Sequence, residues 1–479
     1  MTIIDAMSDP QLFGPWFKGE SWGNWRVFLK VLFSIDLAGK ELETFKQFTG
    51  RQAIPGEVNE AWLIVGRRGG KSLIAALVAV FLACFKDYQK YLAPGERLTI
   101  SVIAADRRQS RTVMRYVVGF LESVPMLADL VERKTQETVD LTNMVTIEVH
   151  TTSYRSVRGY TLGAAICDEI AFWRSEDSAS PDKEIITALR PGMASIPGSM
   201  LLCLSSPYSR RGELFKTYQR HYGKDSPTLV WKAESRAMNA TIPQRIVDQA
   251  LEADPAAASA EWLAEFRSDV EGYVTQEAAE NCVIPGRIEL PPVSEIYYSA
   301  FVDPSGGAQD SMTLAIAHKE EEKVVLDAVR ERRAPFAPES VVEEFSELLE
   351  RYRISEVSGD RYGGEWPAEQ FNKRGIRYLA AGKSKSELYK EMLPMVNSCQ
   401  VELLDNKRML AQLCSLERRT ARSGKDSIDH GPGGHDDLIN SVAGVLVEIG
   451  LEPEFSWRPV PFTEEEEEAM RGWVSLERL

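Results

Sequence analysis

The sequence contains few of the residues that build metal-thiolate sites or disulfide frameworks. Its 479 residues include six cysteines, and no two of them form a Cys-x-x-Cys pair. A cysteine-based zinc site and a disulfide-stapled secreted domain are therefore excluded. The five histidines are dispersed and form no metal-ligand cluster among themselves. This usage fits a protein of the reducing cytosol.

Long hydrophobic runs and an excess of positive charge are also missing. The longest apolar run, Leu73 to Phe85, is shorter than the roughly 20 residues of a membrane helix, so we expect a buried core helix and no membrane association. Acids stand where the basic region of a signal peptide would lie, so we expect none. The net charge of −15 argues against a protein that coats nucleic acid with its whole surface, and leaves room for a local basic groove.

The chain length suggests two or three domains. Residues 1–250 alternate apolar strands with helices, which predicts an α/β domain with a mainly parallel sheet. A proline-bearing stretch, 251–294, is predicted to be a linker. From 295 to 450, three successive strands joined by short turns predict an antiparallel meander followed by helices, and residues 451–479 read as an acidic tail with five consecutive glutamates.

A glycine-rich turn lies between an apolar strand and the apolar helix. Gly66-Arg-Arg-Gly69-Gly70-Lys71-Ser72 has one residue fewer between its glycines than the P-loop pattern. Backbone N–H groups of Gly69, Gly70 and Lys71 can still wrap a phosphate at the helix N-terminus. Lys71 can reach the β- and γ-phosphates of ATP, and the Ser72 hydroxyl can bind Mg²⁺. A lysine-tipped surface turn is the alternative.

A second motif supports a nucleotide site. The apolar strand Ala-Ala-Ile-Cys ends in Asp168 and Glu169. The first acid can hold Mg²⁺, and the second can orient and deprotonate the attacking water. An arginine is expected near the γ-phosphate, and the candidates are Arg158, just upstream of this strand, and Arg67 and Arg68 inside the loop.

Acids stand at the ends of predicted elements in the C-terminal half. Asp303 ends a strand, Asp310 follows across a glycine-rich turn, Asp360 ends another strand, and Asp436 and Asp437 open an apolar helix. Such acids can hold two Mg²⁺ or Mn²⁺ ions that clamp a phosphodiester. Each acid taken alone is equally a turn or N-cap residue. Basic residues that can contact DNA phosphates follow nearby: Lys383, Lys385, Arg418, Arg419, Arg422 and Lys425.

Together these motifs resemble the large terminase subunit of tailed bacteriophages. The resemblance spans about residues 45 to 450 and rests on GRRGGKS, SVRG followed by AAICDE, SSP, EWLAEFRSDVEGYV, FVDPSGGAQDS, VSGDRYGG and HDDLINSVAGVL. It implies an N-terminal P-loop ATPase that drives double-stranded DNA into a procapsid, and a C-terminal RNase H-like nuclease that cuts the concatemer. It further implies a portal protein and a small terminase subunit as partners, and a ring of copies on the portal. The implied location is the host cytoplasm at the procapsid vertex, not the mature virion.

The resemblance also implies residue roles. Arg158 is the arginine finger, and Ser205, Ser206 and Pro207 couple hydrolysis to motion. The nuclease metals are held by Asp303, Asp360 and one of Asp436 and Asp437, with Asp310 accessory. Gln47 falls roughly where the family has an adenine-contacting glutamine.

Other interpretations remain open at this point. A helicase or remodelling ATPase whose C-terminal domain binds nucleic acid would not cut it. A virion or scaffold protein with a vestigial P-loop would not turn over ATP, and the intact Lys71, Asp168 and Glu169 argue against it. A stand-alone resolvase-type nuclease would leave the N-terminal half without a role.

Overall fold

The computed structural model describes residues 1–151, 159–175, 178–360, 365–420, 426–432 and 434–450. The chain divides into two compact units, Met1–Glu271 and Gly272 onward. This boundary falls within the segment 251–294 that the sequence presents as a linker. Arg158, Arg422, Lys425 and the acidic tail 451–479 lie outside the described residues. Among the described residues, no helix combines the length and apolar character needed to cross a membrane.

The first unit alternates helices and strands. Its helices are α1 (Ile3–Ser8), α2 (Gly23–Leu32), α3 (Lys40–Thr49), α4 (Lys71–Phe85), α5 (Arg107–Ser123), α6 (Pro125–Ala128), α7 (Pro181–Met193), α8 (Gly212–His221), α9 (Ser235–Met238), α10 (Gln244–Ala253) and α11 (Pro255–Leu263). Its strands are β1 (Glu60–Val65), β2 (Leu98–Ala104), β3 (Val131–Lys134), β4 (Thr138–Leu141), β5 (Val145–Thr151), β6 (Thr161–Asp168), β7 (Met200–Ser205) and β8 (Thr228–Ala233), while β9 (Val270–Gly272) spans the boundary.

Eight of these strands form one sheet in the order β3-β4-β5-β2-β6-β7-β1-β8. The pairs from β5 to β8 are parallel, and the β3–β4 and β4–β5 pairs at the edge are antiparallel. The central strands are buried along nearly their whole length because helices cover both faces, which explains their continuous apolar sequences. Since β1, β6 and β7 run parallel, the loops that follow them emerge at one edge of the sheet, where α/β proteins bind ligands.

The second unit is built on a six-stranded mixed sheet. Its strands are β10 (Tyr298–Asp303), β11 (Met312–Glu320), β12 (Lys323–Arg332), β13 (Glu356–Gly359), β14 (Arg377–Ala380) and β15 (Val401–Glu402), with a separate hairpin of β16 (Leu416–Thr420) and β17 (Asp426–His430). Its helices are α12 (Gln276–Asn281), α13 (Pro338–Arg351), α14 (Trp366–Asn372), α15 (Lys385–Asn397), α16 (Lys407–Ser415) and α17 (Asp437–Gly450).

The sheet order is β14-β13-β10-β11-β12-β15. The β10–β11–β12 meander is antiparallel, and β13, β14 and β15 add in parallel. Helix α17 packs on one face so closely that a Cβ on Gly444 would lie 2.3 Å from the Phe301 ring, while α13 covers the other face through Val341, Val342 and Phe345. The predicted α/β fold class is confirmed: the first unit has a mainly parallel sheet, and the second unit has a mixed sheet.

Candidate active sites

The glycine-rich turn of the first unit connects β1 to α4. Arg68 has φ +62° and Gly70 has φ +98°, so the chain turns through left-handed conformations just before α4 begins at Lys71. A side chain at Gly70 would be strained and would also crowd Trp25 Nε1 at 3.2 Å. The turn therefore places the free N–H groups of a long buried helix at the carboxyl edge of the sheet. This is the backbone arrangement of an anion site.

Lys71 is held in the middle of this edge. Its side chain is 5% exposed. Its Nζ donates to the carbonyl of Val65 at 2.8 Å and lies 3.3 Å from Glu169 Oε1. A buried ammonium group whose partners are a carbonyl and a carboxylate is fixed in place, with its charge directed at the turn. The two predicted motifs, separated by nearly a hundred positions in the sequence, thus meet at one point.

Asp168 lies at the end of β6 beside the first turn of α4. Its Oδ2 accepts hydrogen bonds from Ser72 Oγ at 3.1 Å and Gln109 Nε2 at 3.0 Å. Its Oδ1 is buried and has no hydrogen-bond partner among the described residues. Burial, reinforced by the neighbouring Glu169 carboxylate, raises the pKa of Asp168 to about 6. A buried carboxylate oxygen without a partner, next to a serine hydroxyl, offers the oxygen ligands that Mg²⁺ prefers.

Glu169 follows in a left-handed conformation, with φ +52°. Its Oε2 accepts hydrogen bonds from Ser205 Oγ at 3.1 Å, the Ser206 backbone N–H at 3.1 Å and Ser206 Oγ at 3.3 Å. These donors come from the end of β7, the strand next to β6 in the sheet. Such donors and Lys71 together keep the carboxylate aimed at the same edge. The serines of the SSP segment are thus direct partners of the predicted catalytic acid.

Other residues predicted for this site lie apart from it. Arg67 is 61% exposed and pairs with Glu261 on α11 at 2.7 Å. The exposed Arg68 receives a hydrogen bond from Asn239 on its backbone carbonyl. Gln47 is exposed on α3, and its side chain makes no hydrogen bond with another described residue. The assignment of a finger to Arg158, and of an adenine contact to Gln47, therefore stays a prediction.

Two contacts to the sheet edge that carries Lys71 and Asp168 were not predicted. The indole N–H of the buried Trp25, on α2, donates to the carbonyl of Gly69 at 2.8 Å. Gln109, on α5, reaches Asp168 as described above. The first 40 residues had no assigned role, yet they include a tryptophan that binds the glycine-rich turn. The aromatic residues of this segment, Trp16, Phe17, Trp22 and Trp25, were the sequence feature that could have indicated such packing.

The acids of the second unit converge where strands end. Asp303 is the last residue of β10, and Asp360 directly follows β13, which pairs in parallel with β10 through Val302 and Gly359. The backbone N–H of Asp360 donates to the carbonyl of Val302 at 3.3 Å. The two acids therefore stand side by side at one edge of the sheet.

The adjacent residues Asp436 and Asp437 have different surroundings. Asp437 begins α17, its Oδ2 accepts from the backbone N–H of Ser311 at 3.2 Å, and its carbonyl accepts from Thr313 Oγ1 at 2.7 Å. Thr313 is the β11 residue that pairs with Asp303. The structure thus brings Asp437 to the Asp303 edge.

Asp436 is 4% exposed, and its carboxylate is bound by other side chains. Its Oδ2 accepts from Tyr389 OH at 2.9 Å and lies 3.0 Å from Lys385 Nζ. The same ammonium lies 2.8 Å from Asp429 Oδ1. Although burial opposes charging, the Asp436 carboxylate and Asp429 raise the pKa of Lys385, so the lysine stays a cation. Asp436 therefore has a fixed counter-ion already.

The electrostatics of the Asp303 edge favour a cation. Burial raises the pKa of Asp303 well above its ordinary value; a hydrogen bond from Asn440 lowers it, and the charges of Asp437, Asp360 and Asp436 raise it further. Asp437 also has a raised pKa, mainly through burial and then through charges that include the exposed Asp310. Acids that repel one another in a half-buried position are stabilised by a divalent metal ion.

The spacing of these acids is wide. Among the described residues, the acidic or histidine set with all ligand atoms within 4.8 Å of one another is Asp429, His430 and Asp436, where Lys385 already lies. Asp303, Asp360 and Asp437 form no set that tight. Mg²⁺ commonly retains several water ligands, so a wider set still fits it.

The basic residues predicted to lie near these acids are largely paired. Lys383 is bound to Glu391, Lys385 to Asp429 and Asp436, Arg418 to Asp426, and Arg419 to Glu417. These side chains neutralise acids of their own unit. They do not form the free basic groove that the sequence suggested.

Solved structures of phage large terminases match this chain. The large terminase of bacteriophage HK97 is 15% identical, with a TM-score of 0.37, over 82% of this chain and 92% of its own. The large terminase of a thermophilic bacteriophage, solved in complex with ATP-gamma-S, is 12% identical, with a TM-score of 0.36, over 88% and 98%. The large terminase nuclease of thermophilic phage G20c, solved with bound magnesium, is 19% identical, with a TM-score of 0.32, over 35% and 94%.

No protein-family model and no curated protein matches the chain. With identities of 12–19% and TM-scores of 0.32–0.37, the likeness to solved terminases carries no functional argument. That argument comes from the side chains of the two sites.

Proposed function

We propose that this protein is an ATP-driven translocase of double-stranded DNA that also cuts DNA with a metal-dependent nuclease, in the manner of a phage large terminase subunit. The observation that supports this most directly is the presence of two separate acid-bearing sites in one chain. One combines Lys71, Asp168 and Glu169 at a phosphate-binding turn. The other gathers Asp303, Asp360 and Asp437 at the edge of a mixed sheet.

In the first site, the N–H groups at the start of α4 and the Lys71 ammonium bind the phosphates of ATP. Ser72 and Asp168 would hold Mg²⁺, and the ion would supply positive charge next to the phosphates. Glu169 orients a water molecule and accepts its proton, and Ser205 and Ser206 keep its carboxylate in position. The nucleotide would supply phosphate oxygens to Lys71 in place of the Glu169 carboxylate. Arg158 remains the proposed finger, and Gln47 the proposed adenine contact.

In the second site, Asp303, Asp360 and Asp437 would hold Mg²⁺ or Mn²⁺, and the metal would supply positive charge to stabilise the cleaved phosphodiester. Asn440 orients the Asp303 carboxylate. Asp310 is accessory. Asp436 contributes by holding Lys385 and Tyr389 in place, and we assign the metal-ligand role to Asp437.

Partners and location follow from the same proposal. A packaging motor requires a portal protein and procapsid, a small terminase subunit that selects DNA, and a ring of copies on the portal. It works in the host cytoplasm at the procapsid vertex. These partners rest on the sequence resemblance alone, since no contact between chains is described.

The test is digestion of a plasmid by the purified full chain with Mg²⁺, Mn²⁺ or EDTA, alongside Asp303→Asn. We expect cutting with metal, none in EDTA, and none by the variant. Absence of cutting by a folded, ATP-hydrolysing protein would favour the helicase or remodelling alternative, in which the second unit binds DNA without cleaving it. Equal cutting by Asp303→Asn would refute the nuclease site.

A further inference from the structure

Helix α5 has an outer face that carries arginines without acidic partners. Arg108, Arg111 and Arg115 are separated by three and four positions, so they share one side of the helix, and all three are exposed. Among the described residues, no carboxylate lies within ion-pair distance of any of them. This differs from the arginines of the second unit described above, which are bound to acids. In a chain of net charge −15, unpaired arginines in a row are a local exception.

These arginines border a groove of about 780 Å³. Its other wall is the β3–β4 hairpin, which contributes Lys134, Thr135 and Gln136. Lys134 binds Glu122 at the far end of α5. The groove is therefore basic where Arg108, Arg111 and Arg115 lie and neutral at its other end.

The inner side of the same helix contacts the sheet edge where Asp168 lies. Gln109 lies one residue from Arg108 and two from Arg111, which at 3.6 residues per turn places it on a different side of the helix. Its side chain donates to Asp168 Oδ2 at 3.0 Å, and its backbone N–H is capped by Asp106 at 2.8 Å. The first turn of α5 is thus tied directly to the acid that is proposed to hold Mg²⁺.

We propose that Arg108, Arg111 and Arg115 bind the phosphate backbone of double-stranded DNA. We further propose that Gln109 makes this DNA affinity depend on the nucleotide bound at Asp168. The inference rests on the proposed function and extends it by naming the DNA-binding surface of the motor unit and its link to the ATP site.

The chemistry of the face selects phosphates. Guanidinium groups are planar donors that match phosphate oxygens in pairs. From Arg108 to Arg115 the helix rises about 10 Å, a length over which duplex DNA carries about six phosphate charges. Contacts of this kind are independent of base sequence, as a translocating motor requires.

The link to the nucleotide follows from the hydrogen bonds to one carboxylate. Ser72 and Gln109 both donate to Asp168 Oδ2. A metal ion held by Ser72 and the free Oδ1 of Asp168 would draw charge from this carboxylate and weaken the hydrogen bond from Gln109, so that contact would differ between the empty and the nucleotide-bound site. A ligand shifts an equilibrium only through such differential contacts. The N-terminal end of α5, which carries Arg108 and Arg111, is the element that would move.

The surface is tested by fluorescence anisotropy of a labelled duplex of about 30 base pairs in EDTA, which prevents cutting. Arg108→Ala/Arg111→Ala should weaken binding at least about 10-fold and reduce the slope of log K against log salt by about 2. The matched control is Arg220→Ala/Arg245→Ala, which removes two exposed arginines from the same unit and should stay within about twofold. Circular dichroism melting checks that both variants are folded.

The outcomes separate the claims. A parent chain that binds no duplex would overturn both this inference and the proposed function. A parent that binds, with a double variant that binds equally well or a control that loses as much, would overturn the inference alone. A double variant that keeps DNA affinity but loses DNA-free ATP hydrolysis would instead assign these arginines to a nucleotide.

The link is tested in an Asp303→Asn background with Mg²⁺, in the presence and in the absence of ATP-gamma-S. We expect the parent's DNA affinity to differ at least about threefold between the two conditions, and Gln109→Ala to remove that difference. Gln52→Ala, a change at an exposed glutamine of the same unit, should retain it. Equal affinities in the parent, or a full difference in Gln109→Ala, would refute the link.

Discussion

The two sites hold their carboxylates in opposite ways. In the first unit, Glu169 is surrounded by an ammonium group, two hydroxyls and a backbone N–H. In the second unit, Asp303 has one amide donor and is surrounded by other acids that raise its pKa. A site with its own fixed cation and helix N-terminus is prepared for a polyanion. A site that accumulates negative charge requires a metal ion before it can approach a phosphate.

The comparison is sharpest where acids are adjacent in sequence. Asp168 and Glu169 have different partners: the first carboxylate binds Ser72, and the second lies next to Lys71. Asp436 and Asp437 also have different partners: the first forms an ion pair with Lys385, and the second accepts a hydrogen bond from Ser311. Each pair turns one carboxylate toward a neutralising partner, so the two members of a pair should differ when mutated.

The largest expected effect is at Glu169. Glu169→Gln keeps the shape of the side chain and removes its ability to accept a proton, so ATP hydrolysis should fall at least about 100-fold. Binding of a fluorescent ATP analogue and plasmid cutting with Mn²⁺ should persist, because neither depends on proton transfer at this site. Normal ATP turnover in this variant would remove Glu169 from the mechanism.

A second test separates Asp437 from Asp436. Asp437→Asn should lower the initial rate of plasmid cutting about 100-fold, because it removes a ligand from the Asp303 edge. Asp436→Asn should lower it less, about 10-fold at most, because that acid already has Lys385 as its counter-ion. The reverse order of effects would exchange the two assignments.

A smaller effect is expected at Trp25. Trp25→Phe retains most of the buried ring and removes the N–H that binds the Gly69 carbonyl. Loss of one such hydrogen bond costs about 1 kcal/mol, so KM for ATP should rise about fivefold. Because the peptide that follows Gly69 carries the N–H of Gly70, the defect should appear in KM more than in kcat. Trp16→Phe, at a more exposed tryptophan, is the control; equal KM values in the two variants would contradict the role.

The smallest expected effect is the change of thermal stability with pH in EDTA. Burial raises the pKa of Asp303 well above its ordinary value and that of Asp168 to about 6. A carboxyl whose folded-state pKa is raised holds a proton that the unfolded chain has released, so the unfolding free energy falls as pH rises from the unfolded pKa near 4 through the folded value.

We therefore expect thermal unfolding in EDTA to occur roughly 2–5 °C higher at about pH 5.5 than at about pH 7.5. Asp303→Asn should reduce this difference, because it removes one of the carboxyl groups whose pKa is raised. Mg²⁺ should reduce it at the higher pH by binding the folded chain. A pH difference that Asp303→Asn leaves unchanged would contradict the description of the second site.

Much of this arrangement could be predicted from the sequence. The continuous apolar strands, the glycine-rich turn before an apolar helix and the meander in the second half are local patterns, and the structure confirms them. The convergence of Asp303 and Asp360 follows from acids that come at the ends of neighbouring strands. These features depend on periodicity and on strand order alone.

What the sequence did not predict depends on contacts between distant residues. The choice between Asp436 and Asp437 depends on where α17 begins and on Lys385, about 50 positions away. The approach of Trp25 to Gly69 and of Gln109 to Asp168 is set by packing of helices on the sheet. No spacing rule encodes such contacts.

The central claim is that one chain carries two independent catalytic sites, and a crossed assay tests it most directly. ATP hydrolysis and metal-dependent plasmid cutting would be measured on the same preparations of the parent, Glu169→Gln and Asp303→Asn. The account predicts that Glu169→Gln loses hydrolysis and retains cutting, and that Asp303→Asn does the reverse. Loss of both activities in either folded variant, or of neither, would contradict it.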